Sequence, residues 1–210
     1  MTTAGSSDAP AGLREAKKAR TRAAIARAAL HLVAEDGLQA TTVEAIAARA
    51  DVSPRTFFNY FDSKDEAVVH LSTDRFRRLM GTLFGDGVEP AANPVLQIRD
   101  LMLRFLEDTD PDSATDDELM RSALERDPTL FGALNASMTV VGAEFEAAIA
   151  SRYDTTRDRD LAKVGLSVAL GLVQTAMVEA CAGAPVTPLA ESVAHYFELL
   201  ESALQEGPTA

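Results

Sequence analysis

Arg55, Thr56, Phe58, Asn59 and Tyr60 lie together in the stretch PRTFFNYF. As chemistry they form a set of groups suited to a nucleic-acid groove. A guanidinium can bond a guanine edge twice, and a carboxamide can do the same for adenine. A threonine methyl or a phenyl ring can touch a thymine methyl, and a phenol hydroxyl can donate to a phosphate. On a helical wheel Phe57 and Phe61, four residues apart, share one side. Arg55 and Asn59 take the opposite side, flanked by Thr56 and Phe58, with Tyr60 toward the edge. A short amphipathic helix with an ordinary polar face is the bland alternative.

Other chemistries are poorly served. His31, His70 and His195 are far apart, and no nucleophile motif, glycine-rich phosphate loop or metal-ligand spacing occurs. No enzyme activity, metal or cofactor is expected. His31 and His195 fall among apolar residues and are expected in a core or an interface. Cys181 is the single cysteine, so neither an internal disulfide nor a cysteine zinc site can form. The expected compartment is cytoplasmic. No charge-free apolar run of about 18 residues suggests a membrane span. The opening MTTAGSSDAPAG lacks a basic flank and apolar core, so it is expected to be a disordered tail over residues 1–12 rather than a secretion signal.

The formal net charge of −12 argues against a nucleic-acid partner until it is divided. Residues 1–64 carry nine Lys/Arg against seven Asp/Glu, and residues 65–210 carry eleven against 25. Between Arg14 and Arg27 there are six basic residues and only Glu15 opposes them. Such asymmetry suggests one DNA-facing end, with Lys17 and Lys18 as backbone contacts, and an acidic remainder that repels DNA.

The elements that must hold these groups are helical. Ile25, Ala28, Ala29, Leu32 and Val33 follow a helical period and predict a helix over about 13–36, which Gly37 ends in the left-handed conformation. Thr41-x-x-Glu44 has capping-box spacing and predicts a second helix from Thr41 to about Ala50. Asp51-Val52-Ser53 makes the turn, Ser53 caps a third helix over 54–61, and Pro54 takes its first position. Ser63-x-x-Glu66 opens a long fourth helix over 64–84. Beyond it helices are expected at about 94–107, 116–126, 128–153, 159–182 and 188–205, separated by turn-rich breaks. The expected fold is all-α, with about nine helices. A helix-turn-helix head spans 13–63, and a helical effector-binding and dimerisation body spans 64–210. Thr42 and Lys64, at the starts of two helices, are expected to contact phosphates on either side of the inserted helix.

Thr42, Ile46, Ala47, Ala50, Val52, Ser53, Thr56, Phe57, Phe58, Asn59, Tyr60, Phe61, Ser63 and Lys64 together resemble the DNA-binding pattern of the TetR family of bacterial transcriptional regulators. The likeness covers about residues 18–68. It implies DNA contacts at Thr42, Arg55, Thr56, Phe58, Asn59, Tyr60 and Lys64. It also implies a homodimer on a near-palindromic operator and an effector-binding body. Phe58 stands where the family often has tyrosine, which removes a hydroxyl contact. Pro54-Arg55 replaces a smaller pair and points to a more guanine-directed site.

The body is read on its own residues. Phe76, Met80, Phe84, Met102, Phe105, Met120, Leu124, Phe131, Met138 and Met177 are expected to line an apolar pocket for a hydrophobic small-molecule effector, and core packing explains them equally well. The stretch from Ile98 to Phe131 is similar to a TetR subgroup with acyl-CoA-like ligands; Arg104, Arg121 and Arg126 could meet such a ligand's charged end, or pair with nearby carboxylates. The last two helices are the expected dimer interface, through Gly165, Val168, Leu172, Phe197 and Leu200. The leading reading is a ligand-released repressor. An activator, or an architectural DNA-binding module without effector, is the alternative.

Overall fold

The computed structural model describes residues 9–84, 89, 92–107, 111–182 and 187–205. Among them are ten helices and no strand: α1 Ala9–Asp36, α2 Val43–Arg49, α3 Pro54–Phe58, α4 Lys64–Phe84, α5 Pro94–Glu107, α6 Pro111–Arg126, α7 Leu130–Glu144, α8 Glu146–Arg152, α9 Thr156–Cys181 and α10 Leu189–Gln205. The all-α reading holds. The single helix expected over 128–153 is interrupted at Phe145, whose backbone N–H bonds Gly142 O at 3.2 Å before α8 begins. Helix α1 starts at Ala9, inside the stretch expected to be a disordered tail, and residues 1–8 lie outside the described residues.

The chain packs as two compact units. The first comprises Met1–Thr73 and Glu118–Ser137, the second Asp74–Asp117 and Met138–Ala210. The expected head of residues 13–63 falls wholly within the first.

In the first unit, Ile25, Leu30 and Val33 of α1 are fully buried with Ile46 of α2 and Phe57 and Phe61 around α3. Each junction has a chemical cause. Gly37 adopts φ +86° after α1 and its N–H bonds Val33 O at 2.9 Å, the left-handed stop its position predicts. The α2 start is one residue later than the capping-box spacing indicates. Thr42, not Thr41, is the cap, and its hydroxyl accepts from Ala45 N at 3.1 Å. Thr41 is buried, with its hydroxyl donating back to Gly37 O at 2.9 Å. At the far end Val52 N bonds Ala47 O at 2.9 Å and Asp51 N bonds Ala48 O at 3.2 Å. That pair is a Schellman motif, and Asp51 occupies its left-handed position at φ +54°.

In the second unit α9 packs against α5, α8 and α10, and α10 also packs against α5. Its core includes Phe76, Met80, Ile98, Met102, Leu166 and Phe197. Gly165 lets α9 approach α5: a Cβ there would lie 3.1 Å from Val95 Cα and 3.4 Å from Ile98 Cδ1. Thr156–Ala180 is long and apolar enough to cross a membrane by length and composition, although its charge-free part, Val164–Val178, is shorter than the run of about 18 residues sought in the sequence. Its inner face meets the helices just named. Val164, Ser167, Gly171, Thr175 and Val178 recur at spacings of three and four along its exposed side.

The two α9 glycines should therefore respond oppositely. Gly165→Val forces side-chain atoms onto the Val95 backbone and should lower stability by about 1–3 kcal/mol. Gly171, with nothing within 4 Å of an added Cβ, should gain about 0.5–1 kcal/mol as Gly171→Ala from helix propensity alone. Urea unfolding of the two variants checks both signs. In the first unit, Asp51→Gly removes the cost of a side chain at positive φ and should raise stability by about 0.5–1 kcal/mol, read from the same measurement.

Candidate nucleic-acid interface

Helix α3 is built so that one side must face inward. Ser53 caps it, accepting from Thr56 N at 3.1 Å, and Pro54 occupies the first turn where no N–H is needed. The regular helix ends at Phe58, short of the expected Phe61. The turn nevertheless continues: Tyr60 N bonds Phe57 O at 2.9 Å, and Phe61 N bonds the same carbonyl at 3.0 Å. Phe57 and Phe61 are 0% and 1% exposed and their rings lie 5.8 Å apart.

Phe61 is gripped from two further sides. The Arg22 guanidinium of α1 sits 4.7 Å above its ring, and His70 of α4 meets its edge at 5.2 Å. Arg22 also pairs with Glu66 at 3.1 Å, while the other Glu66 oxygen accepts from Asp62 N at 2.9 Å. Ser63 caps α4 by accepting from Glu66 N at 3.1 Å. Arg22 was legible only as part of a basic run; here it positions the buried side of the α3 turn. Arg49 at the end of α2 forks onto Glu35 of α1 at 2.7 and 3.0 Å. That hydrogen bond holds the Glu35 carboxyl below its ordinary range.

Opposite this clamp, Arg55 and Asn59 are exposed, and Phe58 is 58% exposed with its ring edge-on to Phe57 at 5.4 Å. Thr56 and Tyr60 are half-buried at the flanks, and the Thr56 hydroxyl lies 2.9 Å from that of Ser53. Thr42 is exposed at the α2 start. Its hydroxyl accepts from the helix and keeps its own proton to donate. Lys17 and Lys18 are exposed on α1, as are Arg14 and Arg20. Lys64 departs from the expectation of a free cation: its ammonium donates to Leu38 O at 2.6 Å and Thr41 O at 2.9 Å. The head thus brings Arg55, Thr56, Phe58, Asn59 and Tyr60 into one short segment and draws Lys64 inward.

The expected body residues divide. Phe76, Met80 and Met102 are buried in the second unit, with Phe105 and Met138 packed against that core and Met177 half-buried. Met120 and Leu124 are buried in the first unit, where Phe131 is half-buried. The Phe84 side chain lies outside the described residues. Arg121 pairs with Glu118 and Glu125, while Arg104 and Arg126 are exposed. Two interface expectations are corrected. Gly165 is filled by Val95 and Ile98 of the same chain, and Phe197 belongs to the core. Val168 and Leu172 are half-buried against that core, and Leu200 is 37% exposed. His195, expected in a core or an interface, is exposed on α10, and His31 is half-buried. Among the described residues no cluster of His, Cys, Asp and Glu could hold a metal.

Residues 25–70 match the family model for bacterial regulatory proteins of the tetR family. Over 58 residues the chain is 48% identical to the HTH-type transcriptional regulator TcmR of Streptomyces glaucescens, covering 28% of this chain and 26% of that one. The match thus spans about a quarter of the curated relative's length. The fatty acid degradation regulator FadR from Bacillus halodurans shares the fold, at a TM-score of 0.53 and 16% identity over 86% of this chain and 94% of its own. Thermus thermophilus FadR, a TetR-family repressor solved with lauroyl-CoA, overlays at a TM-score of 0.48 and 26% identity, over 85% of this chain and 92% of its own. The helices that hold Arg55 and Asn59 clear of the core lie within the segment that matches the model for bacterial regulatory proteins of the tetR family.

Proposed function

We propose that this transcriptional regulator is a homodimeric repressor that binds a near-palindromic operator and leaves it when an apolar small molecule binds the body. One observation carries the DNA side of the reading: α3 is anchored by two buried phenylalanines and presents Arg55, Phe58 and Asn59 outward. Arg55 reads guanine, Asn59 reads adenine, and Phe58 and Thr56 cover thymine methyls. Thr42, Tyr60, Lys17 and Lys18 hold the phosphate backbone and fix register.

The dimer reading rests on apolar side chains left in water. Val164 and Val178 on α9 and Leu199, Leu200 and Leu204 on α10 are exposed. A second copy that covers them gives a two-fold dimer, whose two α3 helices meet successive major grooves about one turn apart. The effector reading rests on the methionine and phenylalanine content of the second unit's core, which suits an apolar ligand. Its acyl-CoA-like character rests on the resemblance of the Ile98–Phe131 stretch. Such a ligand releases DNA only by binding more tightly to a conformer that does not match successive grooves.

The DNA reading is tested with a duplex that the full-length protein selects from a random library. Arg55→Ala and Asn59→Ala should each weaken binding to it by about 1–3 kcal/mol, with smaller losses on random duplex. Fluorescence anisotropy that finds both variants unchanged would refute the reading. For the dimer, Val164→Glu with Leu204→Glu should halve the mass seen by analytical ultracentrifugation while helical circular dichroism persists; a mass that stays dimeric rejects this face. A long-chain acyl-CoA should lower affinity for the selected duplex, and a free fatty acid acting equally well would exclude a role for the nucleotide part.

A further inference from the structure

We infer that Lys64 is a positioning residue for the DNA-reading head, a cationic staple turned inward, and not a phosphate ligand. The inference rests on the DNA-binding reading above and refines it. The observation is geometric. Lys64 is the first residue of α4, and its ammonium donates to Leu38 O at 2.6 Å and to Thr41 O at 2.9 Å. These carbonyls lie on the segment between α1 and α2, 26 and 23 residues away in the chain. Both residues are buried, so without the lysine their carbonyls are deprived of a charged donor in a place water reaches poorly.

The staple closes a longer set of bonds. Thr41 N bonds Gly37 O at 3.2 Å, and the Thr41 hydroxyl bonds the same carbonyl at 2.9 Å. The next residue, Thr42, caps α2. Lys64 therefore ties the start of α4 to the residue before the α2 cap, on the chain side opposite Asp62 and Ser63, which lead out of the α3 turn. A single cation thus sets the spacing between Thr42 and α3. Two of its three N–H donors are committed to that task. A lysine that swings its side chain outward to a phosphate would abandon both carbonyls.

The salt dependence of binding separates the two roles. Removing one phosphate-neutralising cation makes the plot of log K against log salt shallower by about 0.9, so a phosphate-binding Lys64 removed from both half-sites would change the slope by about 1.8. The experiment compares the full-length protein with Lys64→Gln on the selected duplex and on random duplex, by anisotropy across a salt series. A positioning role predicts that affinity for the selected duplex falls roughly tenfold, with the slope unchanged and random-duplex binding little affected. Hydrogen exchange over residues 37–46 should accelerate at the same time. A shallower slope, or unchanged affinity and exchange, overturns the inference. If Lys64→Gln does not fold, Lys64→Arg decides: arginine keeps the charge and binds phosphate but does not reproduce one ammonium between two carbonyls. Weakened affinity then supports the staple, and retained affinity overturns it. Failure of the wild-type protein to select any duplex would refute the DNA reading itself, which keeps the two failures distinct.

Discussion

The five residues of α3 make too few internal hydrogen bonds to hold a helix by themselves, because helix nucleation is costly and short helices are marginal in water. What holds α3 is the complete burial of Phe57 and Phe61, one turn apart. Their burial fixes the rotation of the segment about its own axis, and that rotation alone decides that Arg55 and Asn59 face outward. The rest of the head is arranged around this constraint. Arg22 and His70 close over Phe61, Glu66 connects Arg22 to the backbone of Asp62, and Ser53 terminates the segment at its start. The cation over the ring and the ion pair act on the same guanidinium, so α1 and α4 are coupled through the phenylalanine that anchors α3.

The charge distribution serves the same end. The head's ion pairs, Arg22 with Glu66 and Arg49 with Glu35, are partly exposed and screened, so they contribute modestly to stability. They do orient the elements they join. Arg14, Lys17, Lys18, Arg20 and Arg55 are among the cations on the exposed surface of the head. The excess of acid sits in residues 65–210.

Much of the head was legible because its signals are local. Gly37 needs positive φ, and Ser53-Pro54 and Ser63-x-x-Glu66 place hydroxyls where helix N–H groups are unpaired. Phenylalanines four apart bury on one side whatever surrounds them. The failures have physical reasons too. Thr41 and Thr42 can both cap a helix, and only the path of the chain after Gly37 decides which does. Lys64 has a long, flexible side chain whose direction no local pattern fixes. In α9, Gly165 and Gly171 are identical as letters, yet one is pressed on α5 and the other faces open space. The apolar body residues were read as one lining, but chain spacing cannot say that Leu124 and Met102 serve different compact units. Gly165 and Phe197, read as interface residues, pack within their own chain, since helical period gives the faces of a helix without saying which neighbour each will meet.

Phe58 holds a large hydrocarbon ring in water beside the groups that would read the bases. A charged contact to phosphate gains its free energy chiefly from released ions. A ring leaving water instead gives a negative heat-capacity change. Binding to a cognate sequence, where the ring packs on a thymine methyl, would then grow more exothermic with temperature than binding to unrelated DNA. Burial of this ring would thus give sequence recognition a calorimetric signature of its own.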